Sequence, residues 1–136
     1  VNLWLRENNL KERFYSLVGS KFHWLFNKGD YVSLLRSAAV EIINFDSEKL
    51  IRIADSELRK YFPILRNIEI VGAKVIKERK ATFISDLISV KSRSKLNVSY
   101  NNFYIAGDWT NTGLPSTIES AIKSGVIVSN LITSNQ

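Results

Sequence analysis

Cysteine and methionine are both missing from the 136 residues, and histidine occurs once, at His23. Without a thiol there is no disulfide framework, no zinc–thiolate site and no cysteine nucleophile. The lack is compatible with a cytosolic setting. A single imidazole excludes a multi-histidine metal site within the chain, and any Ser-His-Asp device would have to use His23. No apolar run reaches the roughly 18 residues needed to span a bilayer, and no signal peptide is visible. The G-x-G-x-x-G fingerprint of dinucleotide-binding βαβ units is absent as well. There is no initiator methionine, and Val1–Leu5 already reads as a strand. The expectation is therefore a piece of a longer chain.

What is present is ordinary for a globular protein, with 45% hydrophobic and 24% charged residues. The length fits one domain or the tail of a larger one, and a chain of this size buries about two-thirds of its unfolded surface. Three Trp, five Tyr and seven Phe supply bulky core anchors. The net charge of +6 reads first as a solvated basic surface. Its Lys and Arg residues are spread out, with loose clusters at Lys74–Lys80 and Lys91–Lys95. No nucleic-acid motif accompanies them, so no nucleic-acid partner is expected. An anionic membrane surface is a second fit, since each basic residue near lipid contributes about 1 kcal/mol.

Local patterns give the organisation. Val1–Leu5 and Phe14–Val18 are strand-like. Lys21–Asn27 and Tyr31–Val40 flank the turn signal Lys28-Gly29-Asp30 and predict a β-hairpin. Leu50, Ile51, Ala54, Leu58 and Tyr61 recur at helical spacing. Ser47 is a suitable N-cap and Pro63 a stop, so a helix is predicted over Ser47–Tyr61. Asn67–Glu78 has strand chemistry with a bulge signal at Gly72, and Lys80–Phe83 continues it. Ile84–Val98 is less regular, and Asn101-Asn102 reads as a turn. Phe103–Ala106 is read as a short buried strand and Ser116–Ile132 as a helix. Ile118, Ala121, Ile122, Val126, Ser129 and Leu131 form that helix's apolar face.

The segment Asn102–Asn130 carries the chemistry. Its apolar strand runs into Gly107-Asp108, and Gly107 permits close backbone approach to a ligand. Asp108 falls where ligands bind in open α/β sheets, and its carboxylate can accept hydrogen bonds from sugar hydroxyls. After Trp109–Leu114, Pro115-Ser116-Thr117 opens a helix, with Pro suited to a first turn and Ser116 or Thr117 able to cap. The free N–H groups there make a positive end suited to phosphate or an anionic ring edge. Ala121, Ser124 and Gly125 permit close packing against a sheet or cofactor. Taken singly, each of these residues also fits a plain strand–loop–helix connection.

As a combination, Gly107-Asp108 followed by Glu119-Ser120-Ala121-Ile122-Lys123-Ser124-Gly125 resembles the C-terminal FAD motif of the flavin amine-oxidase and phytoene-desaturase superfamily. AGDWTNTGLPSTIESAIKSG is more similar still to its squalene-associated FAD-dependent desaturases. His23–Gly29, Tyr31–Ala39 and Val75–Phe83 fit the same subfamily, although relatives often show Arg-Pro where this chain has Arg93-Ser94. The resemblance implies an α+β chain that is the C-terminal portion of a two-domain, Rossmann-like FAD-binding oxidoreductase. Residues 1–83 would form the substrate-side antiparallel sheet with its helix, and residues 84–136 would return to the FAD-binding domain through strand 103–106 and helix 116–132. It implies FAD as cofactor, with Gly107, Asp108, Trp109, Leu114, Pro115, Ser116, Thr117 and Ile118 around it. Asp108 would hydrogen-bond the ribityl or pyrophosphate part, and the Ser116–Ile118 backbone would face the flavin N1/O2 edge. The implied partners are an apolar isoprenoid substrate and an N-terminal FAD-binding half on the same or a neighbouring chain. Peripheral contact at the inner, cytoplasmic membrane face follows from a hydrocarbon substrate.

Other residues invite plainer readings. His23 is expected as a partly buried or edge histidine, and Lys77–Lys80 as a solvated strand end. Glu119 suits the helix dipole, and Asp46, Glu48, Asp55 and Glu57 are helix-surface charges. No catalytic side chain is assigned. The rivals are a carotenoid desaturase, an amine oxidase, and a basic non-enzymatic module.

Overall fold

The computed structural model describes residues 1–94 and 103–134, so the turn read at Asn101-Asn102 and Lys95 of the second basic cluster lie outside it. The chain divides into two compact units, Val1–Arg79 and Lys80–Gln136.

The first unit is a five-stranded antiparallel sheet with one long helix. Its strands are β1 (Asn2–Leu5), β2 (Phe14–Ser16), β3 (Trp24–Asn27), β4 (Tyr31–Leu35) and β5 (Ile70–Lys74), in the order β2-β3-β4-β1-β5. The expected hairpin is β3–β4. Gly29 supplies its turn with φ +83°, a conformation that costs a residue without Cβ little, and the Asn27 side chain accepts from the Gly29 N–H at 3.1 Å. The second strand stops at Leu35, short of the predicted Val40, and the chain turns through Ala38 at φ +50°. In β5 the bulge falls beside the predicted glycine: Trp4 pairs with Gly72 and Leu5 with Ile70, leaving Val71 as the extra residue. Lys80–Phe83 does not extend the strand.

Period-two alternation sends Leu3, Leu5, Leu25, Val32 and Leu34 to one face, where all are buried. Helix α1 (Ser47–Tyr61) contributes Leu50, Ala54 and Leu58 to the same core at intervals of one turn. Burying each such leucine stabilises the fold by about 1.5–3 kcal/mol. The N-cap is Asp46, one residue before the predicted Ser47; its carboxylate accepts from the Lys49 N–H at 2.7 Å. A carboxylate outcompetes a hydroxyl there because it also answers the helix dipole. Amide donation and nearby Arg52 and Lys49 hold Asp46 below the usual carboxylate range, outweighing the opposing desolvation. Beyond α1, Lys77 donates to the Phe45 carbonyl and Arg79 to Asn44 Oδ1 at 3.2 Å. The stretch after β5 is thus tied down rather than merely solvated.

The other face of the sheet is aromatic. Trp4 stacks on Tyr31 with centroids 5.1 Å apart, and Phe14 meets Trp24 at 6.2 Å and Phe26 at 6.4 Å.

The second unit holds α2 (Leu87–Ser94) and α3 (Ile118–Ser134). Asp86 caps α2 reciprocally with Ser89: Asp86 Oδ1 accepts from the Ser89 N–H at 2.7 Å, and Ser89 Oγ accepts from the Asp86 N–H at 2.9 Å. Phe103–Ala106 forms no strand among the described residues and lies outside the five-stranded sheet. Every buried apolar side chain among the described residues belongs to the first unit, and the buried side chains of the second are Thr112, Ser120 and Ser124.

Candidate functional site

The predicted loop folds onto the start of α3 through polar contacts. The Gly107 N–H donates to Ser124 Oγ at 2.8 Å, and the Ser124 hydroxyl in turn donates to the Ala121 carbonyl at 2.7 Å. One turn nearer the helix start, Ser120 is fully buried between the Asp108 carbonyl at 3.2 Å and Thr112 Oγ1 at 2.6 Å. Ser120 and Ser124 are one helical turn apart and so share a face. α3 therefore turns serines inward and leaves its apolar residues out, with Ile118 82% and Ile122 64% exposed. Within this unit the loop presents N–H, C=O and hydroxyl groups that match serine better than the isoleucines of the predicted apolar face.

The helix starts at Ile118 rather than at Ser116. The two candidate caps divide their roles. Thr117 is the cap: its hydroxyl accepts from the Ser120 N–H at 3.3 Å, and its carbonyl accepts the first helical bond from the Ala121 N–H at 3.0 Å. Ser116 instead donates to Asp108 Oδ2 and accepts from Thr82 Oγ1 at 3.2 Å. Pro115 lies outside the helix. The amides of Ile118 and Glu119 precede the first intrahelical bond, which leaves them to an external acceptor.

The half-buried Asp108 carboxylate is thus held at the leading end of α3 by a hydroxyl two residues ahead of it. A carboxylate has lone pairs for further donors beyond Ser116. Gly107 is packed under the Trp109 indole; a Cβ there would lie 2.9 Å from the indole Cδ1 and 3.0 Å from Cε2. Trp109 itself is 41% exposed, and Leu114 is half-buried beside Gly113 at φ +77°. All eight sequence-chosen residues, from Gly107 to Ile118, lie in this one loop and helix start. The set offers a carboxylate, unpaired amides at a positive helix end and an exposed indole. That chemistry suits a ligand with hydroxyls, an electron-rich edge and a flat ring.

Sequence reasoning missed the residue that organises the loop. Arg93, on the last turn of α2, donates to the carbonyls of Asp108 at 3.2 Å, Trp109 at 3.2 Å, Thr110 at 2.6 Å and Leu114 at 3.0 Å. Its guanidinium also lies 5.5 Å from the Phe83 ring centroid. His23, by contrast, is half-buried and far along the chain, its backbone paired with Leu35 and Leu17.

The profile of the family described as flavin containing amine oxidoreductase matches residues 2–133. Hydroxysqualene dehydroxylase of Zymomonas mobilis is 29% identical over 119 residues, covering 88% of this chain and 28% of that protein. The protein of the same name from Rhodopseudomonas palustris is 30% identical over 116 residues, covering 85% of this chain and 27% of its own length. That of Sinorhizobium fredii is 29% identical over 109 residues, with 80% and 26% covered. The chain spans about a quarter of the length of these curated relatives. No solved structure matches it.

Proposed function

Because the chain belongs to the flavin-containing amine oxidoreductase family, we propose that it supplies the C-terminal part of the FAD site in an oxidoreductase acting on an isoprenoid of the squalene type. FAD is the cofactor of this reading. The observation that carries it is the convergence of the Asp108 carboxylate with the free first-turn amides of α3, locked by Ser116. Asp108 accepts hydrogen bonds from the ribityl hydroxyls, and Gly107 leaves room for the Trp109 indole to pack over the backbone beside it. The Ser116–Ile118 backbone faces the N1/O2 edge, where the positive helix end favours negative charge. Trp109, Leu114, Pro115 and Thr117 line the approach to the ring. Bound FAD supplies hydride exchange at its N5 atom. The protein's own task is then orientation and exclusion of water, and no side-chain nucleophile is called for.

The substrate class is supported by the names of the relatives and by the first unit's aromatic sheet face. Phe14, Trp24, Phe26, Trp4 and Tyr31 form a broad apolar surface suited to hydrocarbon. The exposed isoleucines of α3 and the polar interior of the second unit fit packing against an N-terminal FAD-binding half on the same or a neighbouring chain. No helix among the described residues is long and apolar enough to cross a membrane. Peripheral contact of the basic surface with anionic lipid completes the reading.

The test is flavin content and turnover. Full-length protein should purify yellow and oxidise or dehydroxylate a squalene-type substrate in preference to amines. Asp108→Ala should lower FAD affinity by about tenfold or more, the equivalent of about 1.4 kcal/mol. Undiminished FAD affinity in that variant would sink the assignment.

A further inference from the structure

From the bonds of Arg93 we infer that it is the positioning residue of the flavin site, a role that rests on the reading of Asp108–Ile118 as the FAD contact. Four carbonyls of one short loop converge on a single guanidinium. Carbonyls pointing the same way repel one another, so a loop of this shape needs a cation at its focus. Arg93 is half-buried, and hydrogen bonds from a charged donor are each about twice as strong as neutral ones.

The clamp acts on the site through geometry. The Asp108 and Leu114 carbonyls mark the two ends of the loop whose side chains and following amides face the ligand. Fixing both ends sets the distance between the Asp108 carboxylate and the start of α3. Ser120 and Ser124 hold the same loop from the helix side, so the loop is gripped from two directions. With no buried apolar side chain among the described residues of this unit, these polar grips hold the loop's shape.

A lysine cannot replace this arginine. Nε and Nη2 of Arg93 reach separate acceptors from fixed positions on a planar fork, whereas an ammonium is a single point with three donors. A preorganised loop binds without first being ordered, so loosening it lowers affinity even though no ligand contact is removed.

The experiment is amide hydrogen exchange and FAD titration on full-length wild type, Arg93→Ala and Arg93→Lys, with FAD-free and FAD-loaded samples. The expected result is exchange about tenfold or more faster at 107–117 in both variants without FAD, with the sheet amides of Trp24–Leu35 unchanged. FAD affinity should fall by at least about tenfold in both. Guanidinium ion at sub-denaturing concentration should restore much of it to Arg93→Ala and none to Arg93→Lys, which a general loss of stability would not do. Wild-type loop protection in FAD-free Arg93→Ala, or full function of Arg93→Lys, overturns the clamp. If FAD fails to protect 107–118 in the wild type, the flavin reading itself falls, and the positioning role with it.

Discussion

Ser120 has no exposed surface, yet it is polar and sits between two oxygen partners. Replacing it with alanine leaves Thr112 and the Asp108 carbonyl without their shared hydroxyl. Ser120→Ala is expected to cost about 1–3 kcal/mol, measured as faster exchange of the 107–117 amides, while exposed Ser129→Ala changes little. Gly107 makes a second point at this scale. An alanine methyl would meet the indole of Trp109, so Gly107→Ala should move the Trp109 indole N–H resonance and leave those of Trp4 and Trp24 in place. Gly107 and Asp108 could be singled out from the sequence because a glycine and an acid between an apolar run and a helix have local meaning. Arg93 was not, because its acceptors lie along a separate loop and basic residues in a loose cluster look alike until the chain folds.

The elements differ in how openly the sequence declares them. α1 was read to its ends, Ser47–Tyr61, because an apolar stripe and Pro63 agree, although the cap is Asp46 rather than the Ser47 chosen for it. Phe103–Ala106 was read as a strand from side chains alone, and side-chain pattern does not by itself fix a backbone ladder. α3 was placed correctly in kind, and its inward serine face was not foreseen, because periodicity marks an apolar stripe without saying which face the neighbouring loop will cover. Caps give this scale its pH prediction. Amide donation from Lys49 lowers Asp46, and amide and hydroxyl donation from Ser89 lowers Asp86. A folded-state pKa below the unfolded one means that the stabilisation is complete above the ordinary carboxylate range and disappears as pH falls through the lowered folded value. Far-UV circular dichroism should therefore show α1 and α2 fraying at strongly acid pH, and Asp46→Asn with Asp86→Asn should flatten that dependence.

At the scale of the molecule, stability resides in the first unit. Leu58, 1% exposed within the core, should cost about 2–5 kcal/mol when cut to alanine, read as a lower urea midpoint for the sheet with the 107–117 amides little affected. The second unit exposes Ile118, Ile122 and Val126 at one-turn intervals along α3, an apolar row of the kind that marks an interaction surface. The isolated chain is expected to self-associate in sedimentation, and Ile122→Ser with Val126→Ser to reduce it.

The register of β1 has a consequence for the birth of the protein. Asn2–Leu5 occupies an interior place in the sheet, between Tyr31–Ser33 on one side and Ile70–Lys74 on the other. The ribosome delivers that strand ahead of both neighbours, and it must wait with its backbone hydrogen bonds open until the last of them emerges. Such distant pairing slows closure and invites strangers to the vacant flanks. Nascent copies should accordingly lean on a chaperone until Lys74 has cleared the exit tunnel.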